Sequence, residues 1–239
     1  GEKTEDHIRD IVPPGAIDTN TRFVLANAIY FRAAWAKQFE TFRTEDGPFT
    51  RCDGTVVTVP RMNQTDGFRY VRDGALQSLE LPYHGTNLAM VVLLPDPGQQ
   101  DAVLASLDGP SLASTLSGLS TATVAVTLPS FELGSSFSLN DALKAMGMIE
   151  PFNGADLSGM MPGGGVAIQH VLHKAWIKTD EEGTEAAAAT VIIGGIDGGV
   201  ADTGVPQIIP FVVDRPFLFL IRDRVTGAVL FLGKVEDPS

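Results

Sequence analysis

A single cysteine, Cys52, in 239 residues excludes an internal disulfide and a thiolate metal cluster, and leaves the redox compartment open. Basic residues are also few: 17 Lys and Arg stand against 29 Asp and Glu, for a formal charge of −12. With no basic stripe in the sequence, nucleic acid and anionic membrane are not expected as partners, because both are bound through Lys and Arg. No apolar run approaches the roughly eighteen residues that span a bilayer. The opening Gly1-Glu2-Lys3-Thr4-Glu5-Asp6 is too polar for the apolar segment of a secretory signal. Catalytic signatures are missing too: there is no G-x-S-x-G elbow, no H-E-x-x-H pair and no G-x-x-x-x-G-K-[ST] loop. His170 and His173 lie three apart on a strand-like segment, which suits neither a helical zinc pair nor a triad. No metal, no cofactor and no enzymatic activity are expected. Asn63-Gln64-Thr65 is a glycosylation sequon, useful only in a secreted protein and common by chance.

What remains is the composition of an ordinary packed protein, 44% apolar and 19% charged. Arg22–Phe31 is nearly all apolar, as expected of a strand buried on both faces. Further strands are expected at Thr55–Val59, Phe68–Val71, Gln77–Leu81, Leu88–Leu94, Thr123–Leu128, Ala175–Thr179, Ile208–Val213, Phe217–Ile221 and Val229–Leu232. Gly85-Thr86-Asn87 suits a hairpin and Val225-Thr226-Gly227 a tight turn. Apolar residues three and four apart predict short helices at Asp101–Leu107, Ser111–Leu116 and Ser138–Met148, the last capped by Ser138. Sheets dominate and the helices come in clumps, which indicates an α+β class.

One stretch breaks this pattern. From Glu181 to Pro210 the chain is acidic, then Gly183-Thr184-Glu185, four alanines, and a run of glycine and small residues. So long a loop in a compact domain is uncommon and usually functional or disordered. Taken alone, Glu185–Thr190 also reads as an alanine-rich helix.

Several blocks carry a resemblance. DRPFLFLI (Asp214–Ile221) resembles the signature of the serpin family, and FLGKVEDP (Phe231–Pro238) its last strand and tail. FVLANAIYFRAAWAKQF (Phe23–Phe39) looks like the central strand of the family's main sheet and its exit. LPYHGTNLAMVVLLP (Leu81–Pro95), ADLSGM (Ala155–Met160) and VLHKAWIKTDEEGTEAAAAT (Val171–Thr190) complete the match in the family's order. The resemblance implies the serpin fold, multi-sheet and mostly antiparallel, as a single domain over residues 1–239 with a reactive-centre loop at 181–210. Family members carry a further N-terminal portion, so part of the domain is expected to precede Gly1. Localisation stays open, with secretion favoured over the cytoplasm.

The resemblance also implies a mechanism. Serpins offer a loop that a serine protease begins to cut; once the acyl-enzyme forms, the loop inserts into the main sheet as a new strand. In a strand, alternate residues face the core, so Thr184, Ala186, Ala188, Thr190 and Ile192 share one face while Glu185, Ala187, Ala189 and Val191 share the other. A bulky or charged inward residue would be costly to insert, and this inward set opens small and uncharged. The hinge is thus Glu181, Gly183, Thr184, Ala186, Ala187, Ala188, Ala189 and Thr190, with Gly183 as a backbone pivot. Asn27 and His173 match a pair bridging strands where the sheet opens, with His173 expected as a hydrogen-bonded core residue. Trp35 and Glu181 match the region where insertion begins. The family's usual basic partner of that glutamate corresponds to Ser130, so no salt bridge is expected.

The family's nearly fixed count from the hinge glutamate places the reactive bond at Asp197-Gly198, with Ile196 as fallback. Asp197 calls for a target serine protease of acidic specificity, Ile196 for one of elastase or subtilisin type. No Lys or Arg lies between Thr179 and Arg215, so a trypsin-like target is not expected. The alternative is a non-inhibitory carrier or chaperone, or a fragment without function.

Overall fold

The computed structural model describes residues 8, 11–19, 21–154, 156, 159, 167–184 and 207–239. In chain order the first strands are β1 (Val24–Tyr30), β2 (Ala33–Ala34), β3 (Glu45–Thr50), β4 (Val56–Asp73), β5 (Leu76–Pro82) and β6 (Leu88–Pro95). Two helices follow, α1 (Gln100–Ser106) and α2 (Gly109–Gly118), then β7 (Ser120–Pro129), β8 (Phe131–Ser138) and α3 (Asn140–Ala145). The chain closes with β9 (His170–Thr179), β10 (Gly183–Thr184), β11 (Ile209–Val212), β12 (Phe217–Asp223) and β13 (Val229–Val235). Strands dominate and the helices are short, the mixed class expected from sequence.

Two compact units emerge, Gly1–Phe31 with Glu132–Ile177, and Arg32–Phe131 with Lys178–Ser239. In the first, β1 runs parallel to β9 from Val24↔His170 to Tyr30↔Trp176, and β8 also pairs with β9. The indole of Trp176 stacks on Tyr30 at 5.7 Å and donates to Glu132 at 3.1 Å.

Sequence and structure part company twice here. The apolar run of β1 is expected to be buried on both faces, yet Leu25, Ala26 and Asn27 are exposed, because a sheet face is buried only by a layer over it and the described residues supply none. Ser138 is expected to cap a helix through Met148; instead it ends β8, and the helix spans only Asn140–Ala145. The Asn140 amide is engaged elsewhere, accepting from Val171 N at 2.8 Å and donating to Gln169 O at 2.6 Å.

The second unit is built on a sheet ordered β11-β7-β4-β5-β6-β12-β13, with β3 paired to β4. Here a continuous apolar run does mean burial on both faces. Every residue from Phe217 to Arg222 is buried, and so is every residue from Ala89 to Pro95. On one face Leu76, Val91, Leu93, Leu218 and Leu220 receive Val103 and Leu107, from α1 and its end, and Leu112 and Leu116 of α2. Each fully buried leucine contributes about 1.5–3 kcal/mol relative to exposure. On the other face Phe131 meets Phe217 and Phe219 at 5.7 and 5.5 Å. Asp108 starts α2 with a capping box, its carboxylate accepting from Ser111 N at 2.8 Å. Gly85 takes φ 66° in the β5–β6 hairpin.

Thr55–Val59 and Phe68–Val71, expected as separate strands, are parts of one long strand, β4. Successive partners keep its ladder going through Pro60 and Gly67: β3 pairs with Val56–Arg61, and β7 with Arg61–Tyr70. Within β4 the Asn63 side chain is committed, donating to Arg43 O and Arg61 O and accepting from Thr127 Oγ1. One buried carboxylate organises the sheet's charges. Glu80, 2% exposed, accepts from Arg222 at 2.5 Å and lies 3.4 Å from both Arg69 and Arg224.

Candidate functional site

The residues singled out from sequence fall into two clusters, one in each unit. In the first unit Asn27 on β1 and His173 on β9 are register partners. The Asn27 amide nitrogen lies 3.2 Å from His173 Nδ1, with the ring nitrogen accepting in the tautomer protonated at Nε2. The pair is joined, and among the described residues Asn27 is exposed and His173 half-buried. The cause is the uncovered face that leaves Leu25 exposed.

The second cluster is the turn that follows β9. Asp180 closes it locally: its backbone N–H donates to Gly183 O at 2.9 Å, and its carboxylate accepts from Glu182 N at 3.1 Å and Gly183 N at 3.3 Å. Two neighbouring residues hold it from outside. Trp35 donates through its backbone N–H to Glu182 O at 3.0 Å and through its indole to Asp180 O at 2.9 Å. Phe39 N–H donates to Glu181 O at 2.9 Å. The Glu181 carboxylate accepts from Thr44 Oγ1 at 2.6 Å, and no ion pair is formed by it among the described residues.

After the turn, Gly183 and Thr184 form β10. Gly183 pairs with Ala34, and Thr184 with Ala33 on one side and Thr179 on the other. Gly183 is demanded by space as much as by backbone freedom. A Cβ there would lie 2.6 Å from Ala34 Cα and inside contact distance of Ala33 O, and both are backbone atoms that cannot step aside. Thr184 is wholly buried, 0% exposed, and its hydroxyl lies 2.7 Å from the Tyr83 hydroxyl. Tyr83 stacks on Trp35 with ring centroids 4.7 Å apart and planes 8° from parallel. Burial pushes the Tyr83 hydroxyl well above the ordinary phenol range, opposed by its hydrogen bond with Thr184. The remaining hinge residues, Ala186, Ala187, Ala188, Ala189 and Thr190, and the reactive-bond candidates Ile196, Asp197 and Gly198 lie outside the described residues.

Comparison with known proteins decides the family. The model of the family "Serpin (serine protease inhibitor)" matches residues 1–238. The chain belongs to the serpin family. It is 39% identical, over 100% of its own length and 54% of the relative's, to an uncharacterised serpin-like protein of Thermococcus kodakarensis. To the leukocyte elastase inhibitor of Xenopus laevis it is 35% identical, covering 99% of this chain and 63% of the relative. Among solved structures, human thyroxine-binding globulin in complex with thyroxine superposes with a TM-score of 0.86 at 29% identity, over 100% of this chain and 62% of that one. The chain thus spans between about half and two thirds of the length of these relatives, and its fold is the serpin fold.

Within this serpin chain the turn brings together Trp35, Glu181, Gly183 and Thr184, all named from sequence, and adds Tyr83, Thr44 and Phe39, which were not. Tyr83 stands 101 residues from Thr184 in sequence, and its only signal was its place in the block Leu81–Pro95. Among the described residues no group of three or more His, Cys, Asp or Glu side chains could hold a metal ion, and no helix is long and apolar enough to cross a membrane.

Proposed function

We propose that this chain carries the trapping machinery of a suicide inhibitor of serine proteases. The observation that supports this most is β10. Gly183 and Thr184 are already paired as a strand between the end of β9 and β2, with Thr184 completely buried. The sequence that follows opens inward with alanines, side chains small enough to extend such a strand without overpacking. In this reading the protease serine oxygen attacks the carbonyl carbon of Asp197, or of Ile196 as fallback. The peptide bond to the next residue breaks, its nitrogen leaves as an amine, and an acyl ester joins loop and protease. The segment from Glu185 then zips into the sheet ahead of hydrolysis. Inhibition by relatives such as the elastase inhibitor points the same way. The target is a protease of elastase, subtilisin or acidic specificity, not a trypsin-like one.

A carrier role is the second reading, favoured by the likeness to a thyroxine-binding structure. A cleft of the second unit, about 390 Å³, includes Arg51, Arg215, Asp96, Asp101 and Asp214 in its lining, charges that suit an apolar cargo poorly.

Incubation of the chain, carried with the N-terminal portion that the family resemblance leads one to expect, with a panel of serine proteases tests the proposal. An SDS-resistant adduct is expected with at least one elastase-like, subtilisin-like or acid-specific enzyme, and mass spectrometry of the released peptide should place the cut between Gly195 and Asp202. No adduct with any enzyme, efficient trapping of trypsin, or a cut outside that window would overturn it.

A further inference from the structure

We propose that Tyr83 is a positioning residue for loop insertion: its hydroxyl latches Thr184 inside the sheet before any protease arrives. The requirement at this position is therefore a hydroxyl, beyond small size and lack of charge.

The latch rests on geometry alone. Thr184 is 0% and Tyr83 2% exposed, so neither hydroxyl can turn to water, and each finds the other at 2.7 Å. Removing one costs the other a buried hydrogen bond, which is worse than removing both. Tyr83 is itself fixed: its ring lies flat on Trp35, its N–H donates to Leu88 O at 3.0 Å, and Trp35 grips the turn at Asp180 and Glu182. The Tyr83 hydroxyl is thus presented at a set point, and Thr184 is held where a growing strand must begin. Its backbone pairs with Ala33 on one side and Thr179 on the other. To that backbone pairing the side-chain bond adds a fixed point that holds the register.

The test compares backbone amide exchange at Gly183 and Thr184 in the intact chain and in Tyr83→Phe, Thr184→Val, Thr184→Ser and the double variant Tyr83→Phe/Thr184→Val. Each of the two single hydroxyl deletions should speed exchange by about tenfold, the factor that corresponds to one buried hydrogen bond. The double variant should return most of the way to the intact rate, and Thr184→Ser should match it. Amides of Val91 and Leu93 in β6 should keep their rates. Unchanged exchange in both single variants, a double variant as fast as the product of the singles, or equal acceleration in β6 would overturn the latch.

Its consequence for trapping depends on the inhibitory reading and is measured separately. With a protease that forms an adduct with the intact chain, Tyr83→Phe and Thr184→Val should both raise the fraction cleaved without trapping, whereas a rule of size and charge alone predicts no change. Absence of any adduct with the intact chain would remove the proposed function and leave the exchange result to decide the latch.

Discussion

Two polar side-chain pairs occupy the regions that the family resemblance marks, and their surroundings differ sharply. Asn27 and His173 meet at 3.2 Å on a face where Asn27 is exposed and His173 half-buried. Tyr83 and Thr184 meet at 2.7 Å with no access to water. At an exposed site a broken bond is replaced by water, so the loss is small; in a dry site the deserted group keeps its full desolvation penalty. In the proposed mechanism the loop enters beside the dry, sterically exacting pair. Substitutions there should act strongly, and those at the exposed pair weakly.

The largest effect is expected from Thr184→Arg, which forces a charge into a site with 0% exposure. Cleavage by the target protease should persist while the adduct disappears from SDS gels. Gly183→Val comes next, because its Cβ collides with the backbone of Ala33 and Ala34. It should expel β10 at a cost of about 1–3 kcal/mol, seen as lost amide protection at Thr184 and a lower thermal midpoint.

Trp35→Phe removes the indole bond to Asp180 and should cost about 2 kcal/mol in urea unfolding. The alkaline limb offers a gentler probe. Burial holds the Tyr83 hydroxyl above its ordinary value of 10.0. The stability gained by keeping the phenol neutral is therefore complete below pH 10 and is lost as pH rises through the raised value. Tyr83→Phe should flatten that limb of the stability curve. Smallest of all, Asn27→Ala and His173→Ala should each cost less than about 1 kcal/mol in this chain. A cost of several kcal/mol there would break the contrast between the two regions.

How much of this was legible in sequence depended on whether the signal was local. The runs FLFLI and LAMVVLL announce central strands because burial on both faces requires apolar residues at successive positions, and β12 and β6 are such strands. β1 carries the same kind of run, and its exposed Leu25 and Ala26 lie on a face that no described residue covers; periodicity reports what a strand could bury, not what lies over it. β3, with Gly47 and Pro48, and β8, with Gly134 and three serines, have compositions that read as loop. Pairing with β4 and β9 makes them strands, and pairing is a tertiary fact. At the site, Gly183 and Thr184 stood in a recognisable block. Tyr83 and Thr44 reach the turn across 101 and 137 residues, and no local pattern encodes that.

The central claim is that the strand begun by Gly183 and Thr184 is extended by the residues after them once the loop is cut. Thermal unfolding before and after a single nick between Gly195 and Asp202, with the peptides left uncleaved elsewhere, tests this most directly. Insertion of a full strand should raise the midpoint; a gain on the order of 5 kcal/mol corresponds to about 10–20 °C for a chain of this size. An unchanged or lower midpoint in the nicked protein would contradict the account.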